Sequence, residues 1–155
     1  MTDEFLETLA EGLKPKHTHV DPFKALKGIS MEMVLKKLNE KTPSIYELLH
    51  HLVVWQDLTI EALQGHDVIW PDKGKDWPEE NEIESDEWQE LIQQFTKGLE
   101  RAEIVAEMLE SETKLPAWND MPASNALRVL IQHNSYHMGQ IVTMRRVLGI
   151  WPPEE

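Results

Sequence analysis

Three long stretches of helical periodicity, each opened by cap residues and closed by glycine or proline, commit this chain to packed helices. The first covers residues 44–64 and opens on Ser44-Ile45-Tyr46-Glu47. That is a capping box, in which Ser44 and Glu47 satisfy each other's free backbone amides. Gly65 ends it. Residues 86–111 follow Ser85 as their cap, and residues 124–148 run to Gly149, with Pro152-Pro153 as a hard stop. Each is about 20–26 residues, hence roughly 30–40 Å long. No segment shows convincing strand alternation.

A shorter arm precedes them. Residues 3–13 read as a helix ended before Pro15, and Lys16-His17-Thr18-His19-Val20 as a break. Asp21 caps a restart with Pro22 at its first position, and Ser30 caps one more piece, residues 30–38. Four arms in 155 residues make a single domain, residues 1–155, of the all-α class, a four-helix bundle. The polar span 66–84 is longer than an ordinary helix connection, which suits a lid or a loose loop. Trp70, Trp77 and Trp88 lie in or near it as candidate anchors.

Composition removes several functions. With no cysteine, disulfides, thiolate metal sites and cysteine nucleophiles are all excluded. A formal charge of -13, with scattered lysine and arginine, disfavours nucleic acid and anionic membrane surfaces. Met1-Thr2-Asp3-Glu4 is acidic where a secretory signal would be basic, and no apolar run is long enough to span a membrane. The expected location is the cytoplasm.

The histidines carry the chemistry. On a wheel of residues 124–148, Leu127, Leu130, Ile141, Met144 and Leu148 define the apolar arc, and His133 and His137 fall inside it. Four residues apart, they stand one above the other and can reach one ion. On residues 44–64 the buried side is Ile45, Leu48, Leu52, Trp55, Thr59 and Ala62; His51 lies at its margin and His50 points nearly the opposite way. Three inward imidazoles in one core need partners for their ring nitrogens, and a shared cation supplies them. Neutral imidazoles suit zinc, nickel, iron or copper, and three protein ligands leave one position open.

Ser44-Ile45-Tyr46-Glu47-Leu48-Leu49-His50-His51-Leu52 and His133-Asn134-Ser135-Tyr136-His137-Met138-Gly139-Gln140-Ile141 resemble the two signature helices of the DinB-like (DinB/YfiT) family of metal-dependent enzymes. Weaker likeness extends to His19-Val20-Asp21-Pro22, Ala25-Leu26-Lys27-Gly28, Trp55-Gln56 and Lys75-Asp76-Trp77-Pro78. The resemblance implies an up-down-down-up bundle, commonly a homodimer, with one divalent transition-metal ion (zinc, nickel or iron) on His51, His133 and His137. Several relatives transfer or isomerise low-molecular-weight thiol adducts. Met138 stands where the family often has arginine, a departure that puts in doubt any role of that arginine toward an anionic substrate or a partner subunit.

Rival patterns are weaker. Asn134 follows His133 where a zincin protease would place a catalytic glutamate. Glu47-Leu48-Leu49-His50 is a single Glu-x-x-His, and a di-iron bundle needs two. Glu47, Trp55, Gln140 and His19 are the candidates for a second shell or pocket around the ion. The expected function is a metal-dependent enzyme acting on a small molecule, with thiol-dependent transfer first and metal-assisted hydrolysis second. The competing reading is a non-catalytic bundle whose three-histidine site is structural or supports a dimer.

Overall fold

The computed structural model describes residues 3–155; Met1 and Thr2 of the acidic opening lie outside them. Helix α1 is Glu4–Ala10, continued by a 3-10 turn at Glu11–Leu13, and the short helices α2, Pro22–Leu26, and α3, Met31–Val34, complete the broken first arm. The long helices are α4, Ile45–Leu63, α5, Ser85–Glu107, and α6, Ala123–Val147.

Local chemistry explains the starts. The Asp3 carboxylate accepts from the amides of Phe5 and Leu6, and Asp21 accepts from Phe23 with Pro22 at the first position of α2. Ser44 and Glu47 form the reciprocal box at α4, at 3.1 and 3.0 Å. Helix α5 begins one residue earlier than expected: Ser85 is already helical, and the Glu84 amide donates to Glu87 at 3.3 Å. Gly149, at φ +75°, terminates α6 in the left-handed conformation that glycine adopts without penalty.

Two helix ends need correction, each because a tertiary contact takes a backbone group that the periodicity assigned to a helix, and a short strand pair needs adding. Helix α3 stops at Val34 rather than near residue 38, and the Leu35 carbonyl accepts from the Asn81 side chain at 2.8 Å. Helix α5 ends at Glu107 rather than near residue 111; the Ser111 amide donates instead to the Asp3 carboxylate at 2.6 Å, tying the cap of α1 to the far end of α5. Finally, the linker before α6 holds a minimal antiparallel pair, β1, Lys114–Leu115, with β2, Met121–Pro122, turned by Asn119 and Asp120 at positive φ.

Helix α4 packs on both α5 and α6, and α1 packs on the same two helices. The shared core includes Leu6, Leu13, Ile45, Leu49, Leu52, Trp88, Phe95, Leu99, Leu127, Leu130 and Ile141. Trp88, expected as an anchor for the polar span, is instead a fully buried core residue of α5. Among the described residues no helix is long and apolar enough to cross a membrane.

The α4–α6 packing sets the site, and one polar crossing fixes its register. Gln56 of α4 donates to the Phe95 carbonyl of α5 at 2.9 Å and accepts from Asn134 of α6 at 3.2 Å. Gly98 is required there: a Cβ on it would lie 2.1 Å from the Gln56 amide nitrogen. Asn134 adjoins His133 in sequence, and Gln56 lies five residues after His51, the histidines that converge.

Candidate metal centre

His51 of α4 and His133 and His137 of α6 each offer a ring nitrogen, and these three nitrogens lie within 4.8 Å of one another. Ring centroids are 4.9 Å apart for His51–His133, 4.7 Å for His51–His137 and 4.5 Å for His133–His137. The rings are tilted or edge-on to one another, and none of the three pairs is stacked face to face. His51 and His137 are buried and His133 is half-buried. His50 turns away and meets the Tyr46 ring edge-on at 6.0 Å.

Outer partners set the tautomers. The His51 Nδ1 lies 3.2 Å from an Asp76 carboxylate oxygen and 3.3 Å from the Asp76 carbonyl, both acceptors, so this nitrogen carries the proton. His137 Nδ1 donates to Gln140 Oε1 at 2.6 Å. In both rings Nε2 is left with a lone pair. His51 Nε2 and His133 Nε2 are 3.1 Å apart. Two nitrogens held ~2.0–2.1 Å from a tetrahedral ion would be roughly 3.3 Å apart. His133 Nδ1 is buried without a hydrogen-bond partner among the described residues.

All three imidazoles are held neutral. Burial, then the neighbouring His137 and His51 charges, lowers the His133 pKa from 6.5 to about 4. Burial, then His137, lowers that of His51 against the opposing pull of Asp76, so the His51–Asp76 contact is a hydrogen bond to a neutral ring. Burial lowers His137, partly offset by Gln140. Neutral, deprotonated nitrogens converging in a desolvated space are the donor set a borderline divalent ion requires. The residues fit a zinc, nickel or iron ion.

The other expected site residues fall in different places. Gln140 sits on the His137 ring, where it orients that imidazole. The Glu47 carboxylate serves the α4 cap and Lys37, 3.6 Å away, and forms no hydrogen bond to His51 among the described residues. His19 binds the Val20 carbonyl and the Ser135 hydroxyl, each at 2.9 Å. Ser135 stands about 200° around the helix from His133, so His19 is on another side of α6. Trp55 borders the centre, its ring edge-on to His133 at 6.3 Å and its indole N–H on Asp76 at 2.8 Å.

Sequence reasoning missed Asp76, whose signal was only its place beside Trp77 and Pro78 in the weakly similar Lys75–Pro78 stretch. Trp77 stacks on the His51 ring at 4.0 Å and 8°. Trp70 donates to the Ala117 carbonyl at 2.8 Å and lies between Trp55 and Trp118 at 5.8 and 4.8 Å. Asn81 accepts from Ser44 at 2.6 Å. The span 66–84 is therefore fastened across the centre at several points.

Residues 6–141 match the sequence model of the DinB superfamily. No curated protein and no solved structure matches the chain.

Proposed function

The chain belongs to the DinB superfamily, and on that premise we propose that it is a metal-dependent enzyme acting on a small molecule, with one divalent transition-metal ion held by His51, His133 and His137. The observation that carries this reading is the convergence of three neutral imidazole nitrogens from two helices within 4.8 Å. The architecture proposed with it is a four-helix bundle of α1, α4, α5 and α6 in up-down-down-up order, assembled as a homodimer in the cytoplasm.

When bound, such an ion supplies Lewis acidity at a position the protein leaves open. The chain's own residues do the rest. His51 and His137 are oriented by Asp76 and Gln140, and His133 by its place one turn before His137 on α6. Trp55 and Trp77 shed water from two sides of the histidines. With no cysteine in the chain, a thiol nucleophile must arrive with the substrate. Thiol-dependent transfer, with a low-molecular-weight thiol as one substrate, is the preferred reaction, and metal-assisted hydrolysis of a small molecule the second.

Elemental analysis of the purified chain should find close to one transition-metal ion per chain, and none in His51→Ala, His133→Ala or His137→Ala. Thiol consumption with a panel of electrophiles should then depend on that ion. Full metal content in all three variants would remove the reading. A wild-type protein that holds its ion but never exchanges it and consumes no substrate would make the site structural.

A further inference from the structure

His51 differs from the other two histidines in what holds its outer nitrogen. His137 is oriented from its own helix, by Gln140 three residues on, and His133 Nδ1 has no partner among the described residues. The partner of His51 instead comes from the long span between α4 and α5. One Asp76 carboxylate oxygen, Oδ2, meets both the His51 Nδ1, at 3.2 Å, and the Trp55 indole N–H, at 2.8 Å. His51 and Trp55 are one turn apart on α4, so a single carboxylate bridges two donors on one helical face. Trp77, the next residue, covers the same imidazole with its ring plane 8° from parallel.

This arrangement does two things. A carboxylate can only accept, and together with the Asp76 carbonyl 3.3 Å from the same nitrogen it holds the His51 proton on Nδ1 and turns the Nε2 lone pair inward. The indole N–H is a donor without an acceptor lone pair, so it cannot compete for that proton and instead fixes where the carboxylate stands.

We propose that Asp76 is the positioning residue of the centre: held by Trp55, it sets the His51 tautomer and the geometry in which Nε2 meets the cation, and it thereby makes cation binding depend on the placement of the 66–84 span. The proposal rests on the metal reading above. It places a control point about 25 residues from the ligand in sequence, the separation of the His51–Asp76 contact. Removal of a carboxylate that orients a metal-ligating histidine typically lowers affinity ~10–100-fold.

The test uses the full chain, stripped with a chelator and titrated with Ni2+, together with 15N resonances of the imidazoles in the metal-free state. Wild-type His51 should be the Nδ1–H tautomer. In Asp76→Ala, which keeps only the longer 3.3 Å contact to the backbone carbonyl, the Nδ1–H tautomer should fall in population, and Ni2+ affinity should fall about 10–100-fold. Asp76→Asn keeps an acceptor oxygen for both donors and should restore the tautomer and most of the affinity. Trp55→Phe, which frees the carboxylate, should fall between. The His137 resonances report the overall integrity of the site, since that ring is held by Gln140, and should stay in place in every variant. Unchanged Ni2+ affinity or an unchanged His51 tautomer in Asp76→Ala overturns the proposal, as does loss of the His137 signature together with that of His51. If the wild-type chain takes up no Ni2+, the metal reading fails by itself. The metal-free tautomer of His51 still decides whether Asp76 positions that ring.

Discussion

Helix α6 carries two polar knots of opposite design. Near its C-terminal end Arg145, fully buried, donates to the carbonyls of Ala25 at 2.7 Å and Ile150 at 3.2 Å, with Lys24 at 3.5 Å and the Trp151 ring 5.3 Å from its charge. Two turns earlier, His137 joins His133 and His51 in a group of neutral rings whose nitrogens converge. The first knot carries its own cation and finds oxygen acceptors in the backbone at the end of α2 and just past α6. The second offers ring nitrogens, the kind of donor a divalent ion takes. Arg145 has its hydrogen bonds completed within the fold, whereas His133 Nδ1 is buried without a partner among the described residues, and buried polar atoms of that kind call for an explanation beyond stability.

The sharpest way to break this contrast is at Arg145. Arg145→Met should lower stability by about 3–5 kcal/mol, because buried carbonyls lose their only charged donor. Chemical denaturation should show that loss equally with and without metal. A loss below ~1 kcal/mol would mean the first knot is no more structural than the second.

His133→Leu should behave the opposite way. Metal affinity should drop by at least ~100-fold, more than removal of an outer partner achieves, whereas chelator-treated protein should unfold at the same denaturant concentration as wild type or a higher one. The reason is that a buried ring nitrogen without a partner is replaced by an apolar group of similar size. Paired titration and denaturation curves check both halves.

Gly98→Ala probes the crossing that sets the register between α4 and α6. The new methyl would meet the Gln56 amide 2.1 Å away, in a site where that amide is committed to Phe95 and Asn134. A destabilisation of about 1–3 kcal/mol should result, with weaker metal uptake because His133 adjoins Asn134 and His51 lies about a turn and a half before Gln56. Intact metal affinity in a destabilised Gly98→Ala protein would uncouple the crossing from the centre.

The smallest effect is in pH. The folded-state pKa of His133 is about 4, below its ordinary 6.5, so as the pH falls through this window the unfolded chain takes up the proton first. The contribution is fully present above about 6.5 and is lost progressively toward pH 4. Burial of His51 and His137 acts in the same direction. Metal-free wild type should therefore lose stability across that range, His133→Leu should lose less, and Arg145→Met should keep the wild-type slope.

Much of the site was legible because it is written on helices. The spacing of four between His133 and His137, and the position of His51 behind the Ser44–Glu47 box, place three rings on inward faces whatever the loops do. Glu47 and His19 were harder to place as neighbours of the centre, since each has another partner: for Glu47 the cap that its sequence already showed and Lys37, for His19 the Ser135 hydroxyl. The helix ends at Val34 and Glu107 were misjudged for the same reason, a side chain distant in sequence claiming the next backbone group.

Local sequence determined the helices, their caps, the inward faces and the three imidazoles, because each of these depends on residues within one or two turns. Only the tertiary structure decided that Asp76 and Trp77, from a span without regular periodicity, lie against His51, that Gln56 slots past Gly98 to Asn134, and that Arg145 closes on Ala25 and Ile150. Apart from Arg145 with Ile150, those contacts join residues 25 to 120 positions apart, and they arise when packed helices bring unmatched polar groups into one dry interior, where each must find a partner.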